Sequence, residues 1–124
     1  MSKLIYSEES FKIIGLCMEV HTYLGHGFLE IVYKDALELE FKLANIPYMR
    51  EKVYDVNYKG FILPHYFTAD FVVFDKIILE VKSLKSLPQE HYSKTINYLK
   101  VSTLKLGLLI NFGEVSLNYK RLVL

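Results

Sequence analysis

Ile77-Ile78-Leu79-Glu80-Val81-Lys82 is the stretch that decides how this chain folds. This short apolar run reads as the most apolar strand in the chain. Side chains alternate along a strand, so Glu80 and Lys82 share one of its faces. A lone charge there is costly, and the two must pair, reach water or bind a ligand. Asp70 stands ten residues earlier, directly ahead of Phe71-Val72-Val73-Phe74, which reads as the neighbouring strand. Two carboxylates converging on one point suit a hard cation such as Mg²⁺, which prefers oxygen ligands. A lysine beside them could orient or deprotonate a bound water, or stabilise developing negative charge. A salt-bridged pair at a sheet edge is the plain structural alternative.

Register decides between these. If Asp75-Lys76 formed a two-residue loop, Phe74 would oppose Ile77 and Asp70 would oppose Val81, pointing away from Glu80. A site therefore requires an odd offset: either a three-residue loop of Phe74, Asp75 and Lys76, which sets Asp70 opposite Glu80, or a bulge. In the site reading, the Lys82 ammonium lies within a few ångström of one of the two carboxylates, because apposed carboxylates otherwise repel.

Working outward, Ser7 to Leu24 reads as a helix, with Ile13, Cys17, Val20 and Leu24 at helical spacing and Phe11, Ile14 and Met18 widening the apolar face. Gly25-His26-Gly27 interrupts it. A second helix runs from about Leu29 to Asn45 on a stripe of Val32, Ala36, Leu39 and Leu43, and Asn45 and Pro47 end it. Tyr54, Val56 and Tyr58 then alternate with polar residues as a half-buried strand, Lys59-Gly60 is a turn, and Phe61 to Phe74 is a long apolar stretch broken by Pro64. A third helix starts near Ser86-Leu87-Pro88-Gln89, where Ser86 and Gln89 have capping-box spacing; its stripe is Pro88, Tyr92, Thr95, Ile96 and Leu99. Leu106 to Phe112 reads as a buried strand, and Leu117 to Val123 alternates as a last one. The order is α-α-β-β-β-α-β-β, and the class is α/β (α+β) with one mixed sheet flanked by helices.

The 124 residues fit one domain, 1–124, and the composition (52% hydrophobic, 23% charged) excludes disordered and fibrous classes. A single cysteine, Cys17, excludes a disulfide framework and a cysteine-cluster zinc site, and it reads as a small buried hydrophobe. No apolar run reaches membrane-span length, and the opening Met1 to Glu9 lacks a signal-peptide pattern, so the expectation is a cytoplasmic protein with no membrane partner. The net charge of +1 is divided unevenly. Residues 1–45 carry four lysines against seven acids, whereas residues 81–105 carry five lysines against Glu90 alone. That cluster reads either as a phosphate-attracting surface or as a solvated helix face.

Gly27-Phe28-Leu29-Glu30-Ile31-Val32-Tyr33 resembles the signature of the GxxExxY family, which is placed in the PD-(D/E)XK nuclease-like superfamily. The likeness extends over nearly the whole chain: Val20-His21, Leu24-Gly25, Tyr58-Lys59-Gly60, Ala69-Asp70, Glu80-Val81-Lys82, Asn97-Tyr98-Leu99-Lys100 and Gly107 to Phe112 follow in order. The resemblance implies a restriction-endonuclease-like core: a three-stranded meander, a helix and a further strand, preceded by helices. It implies that Asp70 and Glu80 hold Mg²⁺ (or Mn²⁺) with help from the Val81 carbonyl, and that Lys82 stands near the attacking water. Glu30 would complete the metal shell or position Lys82. The implied chemistry is metal-assisted phosphodiester hydrolysis of DNA or RNA. Three positions depart from the family pattern: His26 for a usual proline, Thr68 for a common arginine, and Lys94 for an expected glutamine.

Other residues keep two readings. Glu30 also suits a first helical turn electrostatically, and Tyr33 reads as core with a wet hydroxyl. The four histidines show no metal-ligand spacing. His91, Lys94 and Tyr98 form an i, i+3, i+7 row that could face the active edge and bind substrate. A fold of this kind without turnover, binding nucleic acid or protein, and a small oligomeric interaction protein are the rival functions. A partner or a homodimer is expected, since a lone domain of this size offers little surface for a duplex.

Overall fold

The computed structural model of the chain describes residues 4–124; Met1 to Lys3, the first part of the opening stretch read for a signal peptide, lie outside it. The elements are α1 (Ser7–Leu24), α2 (Glu30–Leu43), β1 (Tyr48–Tyr58), β2 (Phe61–Val73), β3 (Ile77–Lys82), α3 (Gln89–Ser102), β4 (Leu106–Asn111) and β5 (Asn118–Val123). They follow the expected order, in one five-stranded sheet ordered β1-β2-β3-β4-β5. The β1–β2, β2–β3 and β4–β5 pairs are antiparallel, while β3 and β4 are parallel and joined through α3. A parallel pair needs such a crossover. No helix among the described residues is long and apolar enough to cross a membrane.

One face of the sheet carries Phe71, Val73, Ile77, Leu79, Val81, Leu106, Leu108, Ile110 and Phe112 against Ile13, Cys17 and Val20 of α1 and Tyr33, Leu37 and Phe41 of α2. The other face is thinner: Ala69, Val72 and Ile78 pack against Leu99 of α3. Covering β3 and β4 on both sides accounts for their continuous apolar sequence. Ala69 shares the sequence parity of Phe71 and Val73 yet joins the opposite cluster, so side-chain alternation along β2 breaks at Asp70.

The sequence stripes need correction at several places. On α2 the buried residues are Tyr33, Lys34, Leu37 and Phe41, with Leu39 and Leu43 exposed. Apolar residues occupy two neighbouring stripes of this helix, and the one carrying Tyr33 wins because its ring stacks on Phe112 at 4.5 Å. On α1, Phe11 and Met18 are exposed, so the apolar face is narrower than its sequence suggests. The α3 cap is Pro88 without any side-chain cap bond, so the Ser86–Gln89 capping box does not form, and Pro88 is exposed rather than core. Pro64 does not end β2. Leu63-Pro64-His65 bulge opposite the single Val56, between the pairs Asp55–Tyr66 and Asn57–Ile62. A bulge tolerates a residue that cannot donate to the ladder.

Candidate metal centre and active site

The β2–β3 register is Phe71–Leu79, Val72–Ile78 and Val73–Ile77, which leaves Phe74, Asp75 and Lys76 as a three-residue loop. Phe74 and Asp75 take left-handed backbone angles to make it. Continued one pair further, the register sets Asp70 opposite Glu80, the offset that a site requires. There the side chains take over from the main-chain ladder. The Asp70 N–H donates to Glu80 Oε2 at 2.7 Å, and the Val81 N–H donates to Asp70 Oδ2 at 2.8 Å. Each carboxylate is thus bonded to the other's strand.

Glu80 is only 5% exposed. Burial, and after it the Asp70 charge, push its pKa up to about 8, against the Asp70 N–H bond and the charges of Lys82 and Lys94. At neutral pH this carboxyl is therefore mostly protonated. The main cause is burial, and Glu80 is in no ion pair among the described residues. Two adjacent carboxylates with only oxygen donors fit a hard divalent ion, which is commonly held by one or two carboxylates and water. Among the described residues no three His, Cys, Asp or Glu side chains converge to hold a metal. The side-chain ligands that the structure brings together are therefore Asp70 and Glu80.

The lysine at the carboxylates is not the one expected. No ion pair among the described residues involves Lys82, which is half-buried at the end of β3 and acts on Glu80 only through its charge. It is Lys34, from α2, that reaches Asp70 Oδ1 at 3.0 Å, and the same ammonium is bonded to Glu51. Burial would lower the Lys34 pKa, but the bonds to Glu51 and Asp70 outweigh it, so the group is held above its ordinary value. Glu51 on β1 has φ 56, a left-handed backbone rare for a residue with a side chain. Its neighbours pair in unbroken register, Arg50 with Phe71 and Lys52 with Ala69, so Glu51 falls opposite Asp70. Glu51, Asp70 and Glu80 thus form a row across three strands. Lys34, and with it the Glu51 bonded to it, escapes a reading from sequence because the α2 stripe is off by two. On the observed stripe Glu30, Lys34, Leu37 and Phe41 recur at helical spacing, and a lysine among core residues is then the signal.

Glu30 is the first residue of α2, and its side chain is in no ion pair among the described residues. With Lys34, one turn later, it lines a cleft of about 1080 Å³ between the start of α2, Ser83–Lys85 and Gly113–Val115. The signature around it has a structural explanation. Tyr33 is fully buried, its hydroxyl donates to the Gly25 carbonyl at 2.6 Å, and it accepts from the Phe28 N–H at 3.3 Å. Gly27 turns the chain at φ 108, where a side chain would be strained. Glycine and tyrosine together fix the angle at which α2 starts, and with it the position of Glu30. Ser83 Oγ closes the same corner onto the Phe28 carbonyl at 2.5 Å.

The α3 row lies on the Glu80 side. The charge of Lys94 lowers the Glu80 pKa, and its ammonium sits 5.9 Å from the Tyr98 ring centroid. Tyr98 stacks on Phe67 at 4.0 Å, and Phe67 stacks on Tyr54 at 5.2 Å. Burial, and then Glu80, raise the Tyr98 pKa. His91 is half-buried, and its Nδ1 has no partner among the described residues. Lys94 and Tyr98 are therefore brought to the carboxylates, and His91 stands one turn before them on the same helix. Cys17 is buried, as expected, and burial pushes its thiol pKa well up.

No curated protein matches the chain. Among solved structures, the crystal structure of SSO0001 is similar, with a TM-score of 0.60 and 20% identity over 95% of this chain; the chain spans 59% of that one's length. At that identity the likeness shows the mixed-sheet, restriction-endonuclease-like fold. A family model described as PD-(D/E)XK nuclease superfamily matches residues 7–122, and nucleases of that superfamily generally use divalent metals. With the acidic pair and Glu80-Val81-Lys82 on adjacent strands of that fold, the chain belongs to the PD-(D/E)XK nuclease superfamily.

Proposed function

We propose that the chain, as a single domain over 1–124 of the GxxExxY group, is a metal-dependent nuclease that hydrolyses phosphodiester bonds of DNA or RNA. Mg²⁺ is the cofactor, with Mn²⁺ as a substitute. The observation that supports this most is the direct apposition of Asp70 and the buried Glu80, each bonded to the other's strand. Asp70, Glu80 and the Val81 carbonyl hold the ion, which when bound supplies Lewis-acid activation and a template for substrate and water. Lys82 shares the Glu80 face and carries no ion pair among the described residues, and its ammonium orients the attacking water. Glu30 lines the cleft one turn before Lys34, apart from the two metal-binding carboxylates, and its role is to position Lys82. His91, Lys94 and Tyr98 lie along the approach from α3, and Lys94 contacts phosphate. A cytoplasmic homodimer supplies the surface that one domain lacks for gripping nucleic acid.

The test is calorimetric titration of Mg²⁺ and Mn²⁺ into the chain and its Glu80→Ala variant, alongside cleavage of single- and double-stranded DNA and RNA. Metal binding abolished by Glu80→Ala, with cleavage that needs the metal, is the expected result. Binding of nucleic acid with a steep salt dependence, weakened by Lys94→Ala but without cleavage, would make the chain a binding module instead. No metal binding and no nucleic-acid binding would overturn the reading.

A further inference from the structure

Lys34 is the buried charged group that the hydrolytic reading leaves without a task. Its side chain is 10% exposed, and it reaches the candidate metal centre from the helix on the opposite side of the sheet to Lys94. Both Asp70 oxygens are engaged, Oδ2 by the Val81 N–H and Oδ1 by Lys34. A divalent ion shared with Glu80 must therefore contend with an ammonium already bonded to one of its ligands. Two cations on one carboxylate repel, and the buried Lys34 cannot move out to water without leaving its partners behind. Glu51 resolves this: it is bonded to the same ammonium, and its own side chain is half exposed. Its left-handed backbone is a strained placement for a glutamate, and strain of that kind persists where the surroundings enforce it. The surroundings here are specific. The adjoining Arg50 is bonded to Asp35 at 2.8 Å and Glu38 at 3.0 Å, and Tyr48 donates to Glu38 at 2.8 Å, so β1 is fastened to α2 on the Lys34 side of Glu51.

We propose that Lys34 is a tethered competitor for the cation position: a divalent ion at Asp70 and Glu80 moves its ammonium off Asp70 and wholly onto Glu51. Lys34 thereby sets the metal concentration at which the centre fills, and Glu51 lowers that threshold by receiving it. Lys34 and Glu51 are positioning residues in this scheme. The inference rests on the metal centre proposed above.

The test is Mn²⁺ titration by calorimetry on the full chain freed of metal by chelator, with Asp70→Asn as the control that removes the centre. Lys34→Met is expected to bind Mn²⁺ tighter by about tenfold or more, the lower end of what a cation within about 4–6 Å exerts on a carboxylate. Glu51→Gln is expected to bind it more weakly, because Lys34 then has only Asp70. The double variant removes both charges and so keeps the fold accessible if Lys34→Met alone does not fold; it is expected to match Lys34→Met within about twofold, as the two changes act through one contact. A purely structural ion pair moves both single variants the same way or neither. Unchanged or weaker binding when Lys34 is removed would overturn the inference while leaving the centre intact. So would Glu51→Gln weakening binding equally with and without Lys34, which makes Glu51 a ligand. Absence of Mn²⁺ binding in the parent and in every variant would overturn the metal centre and this inference together.

Discussion

Replacing Glu80 by Gln tests the electrostatics of the centre without any substrate. The amide oxygen can still accept the Asp70 N–H, the bond that Oε2 makes at 2.7 Å, but the group no longer ionises. Burial and the Asp70 charge raise the Glu80 pKa from 4.5 to about 8. For an acid shifted upward, the folded chain keeps a proton that the unfolded chain loses. Full stability is present below 4.5, falls as pH rises, and levels off above about 8. Linkage over that window gives a loss of about 1 kcal/mol at pH 5, about 3 at pH 7 and nearly 5 at pH 9. Glu80→Gln escapes this loss, so its advantage over the parent should grow by about 4 kcal/mol between pH 5 and pH 9. The assay is urea unfolding followed by circular dichroism at the three pH values, with chelator present throughout. An advantage that does not grow with pH, or a glutamine variant that is the less stable of the two at pH 9, would refute the reasoning.

Three further outcomes follow from the same contacts. Since a metal takes the ionised form of Glu80, Mg²⁺ binding at pH 7 should release close to one proton and tighten as pH rises to about 8; titration in two buffers of different ionisation heat measures this. Lys82→Ala should cost less than about 1 kcal/mol in unfolding experiments, since Lys82 is in no ion pair among the described residues, while abolishing metal-dependent cleavage; a loss above about 3 kcal/mol would instead mark a buried structural pair. Tyr33→Phe keeps the stack on Phe112 but removes both hydroxyl bonds, to the Gly25 carbonyl and from the Phe28 N–H, and should lower stability by about 1–3 kcal/mol.

Local sequence determined a good deal about this protein. Glycine-marked turns and the change of hydrophobic period separate the elements in their observed order, because turn conformation and amphipathic spacing depend on neighbouring residues alone. The charged pair inside Ile77–Lys82 marked the strand where chemistry concentrates, since an apolar run tolerates such residues only with a reason. Requiring Asp70 and Glu80 to meet left a three-residue loop or a bulge between them, and the structure takes the loop, Phe74–Lys76.

Tertiary structure decided what depends on partners distant in the chain. Two apolar stripes compete on α2, and the stack of Tyr33 on Phe112 settles which one turns inward. That choice carries Lys34 into the core and to Asp70, 36 residues away, while Lys82 is in no ion pair among the described residues. The left-handed turn at Glu51 is likewise invisible along the chain, because its neighbours pair in unbroken register and glutamate carries no signal for such a backbone. Which lysine meets a carboxylate is a question of three-dimensional distance. Spacing along one strand answers it only for groups on that strand, and the ammonium at this centre comes from a helix.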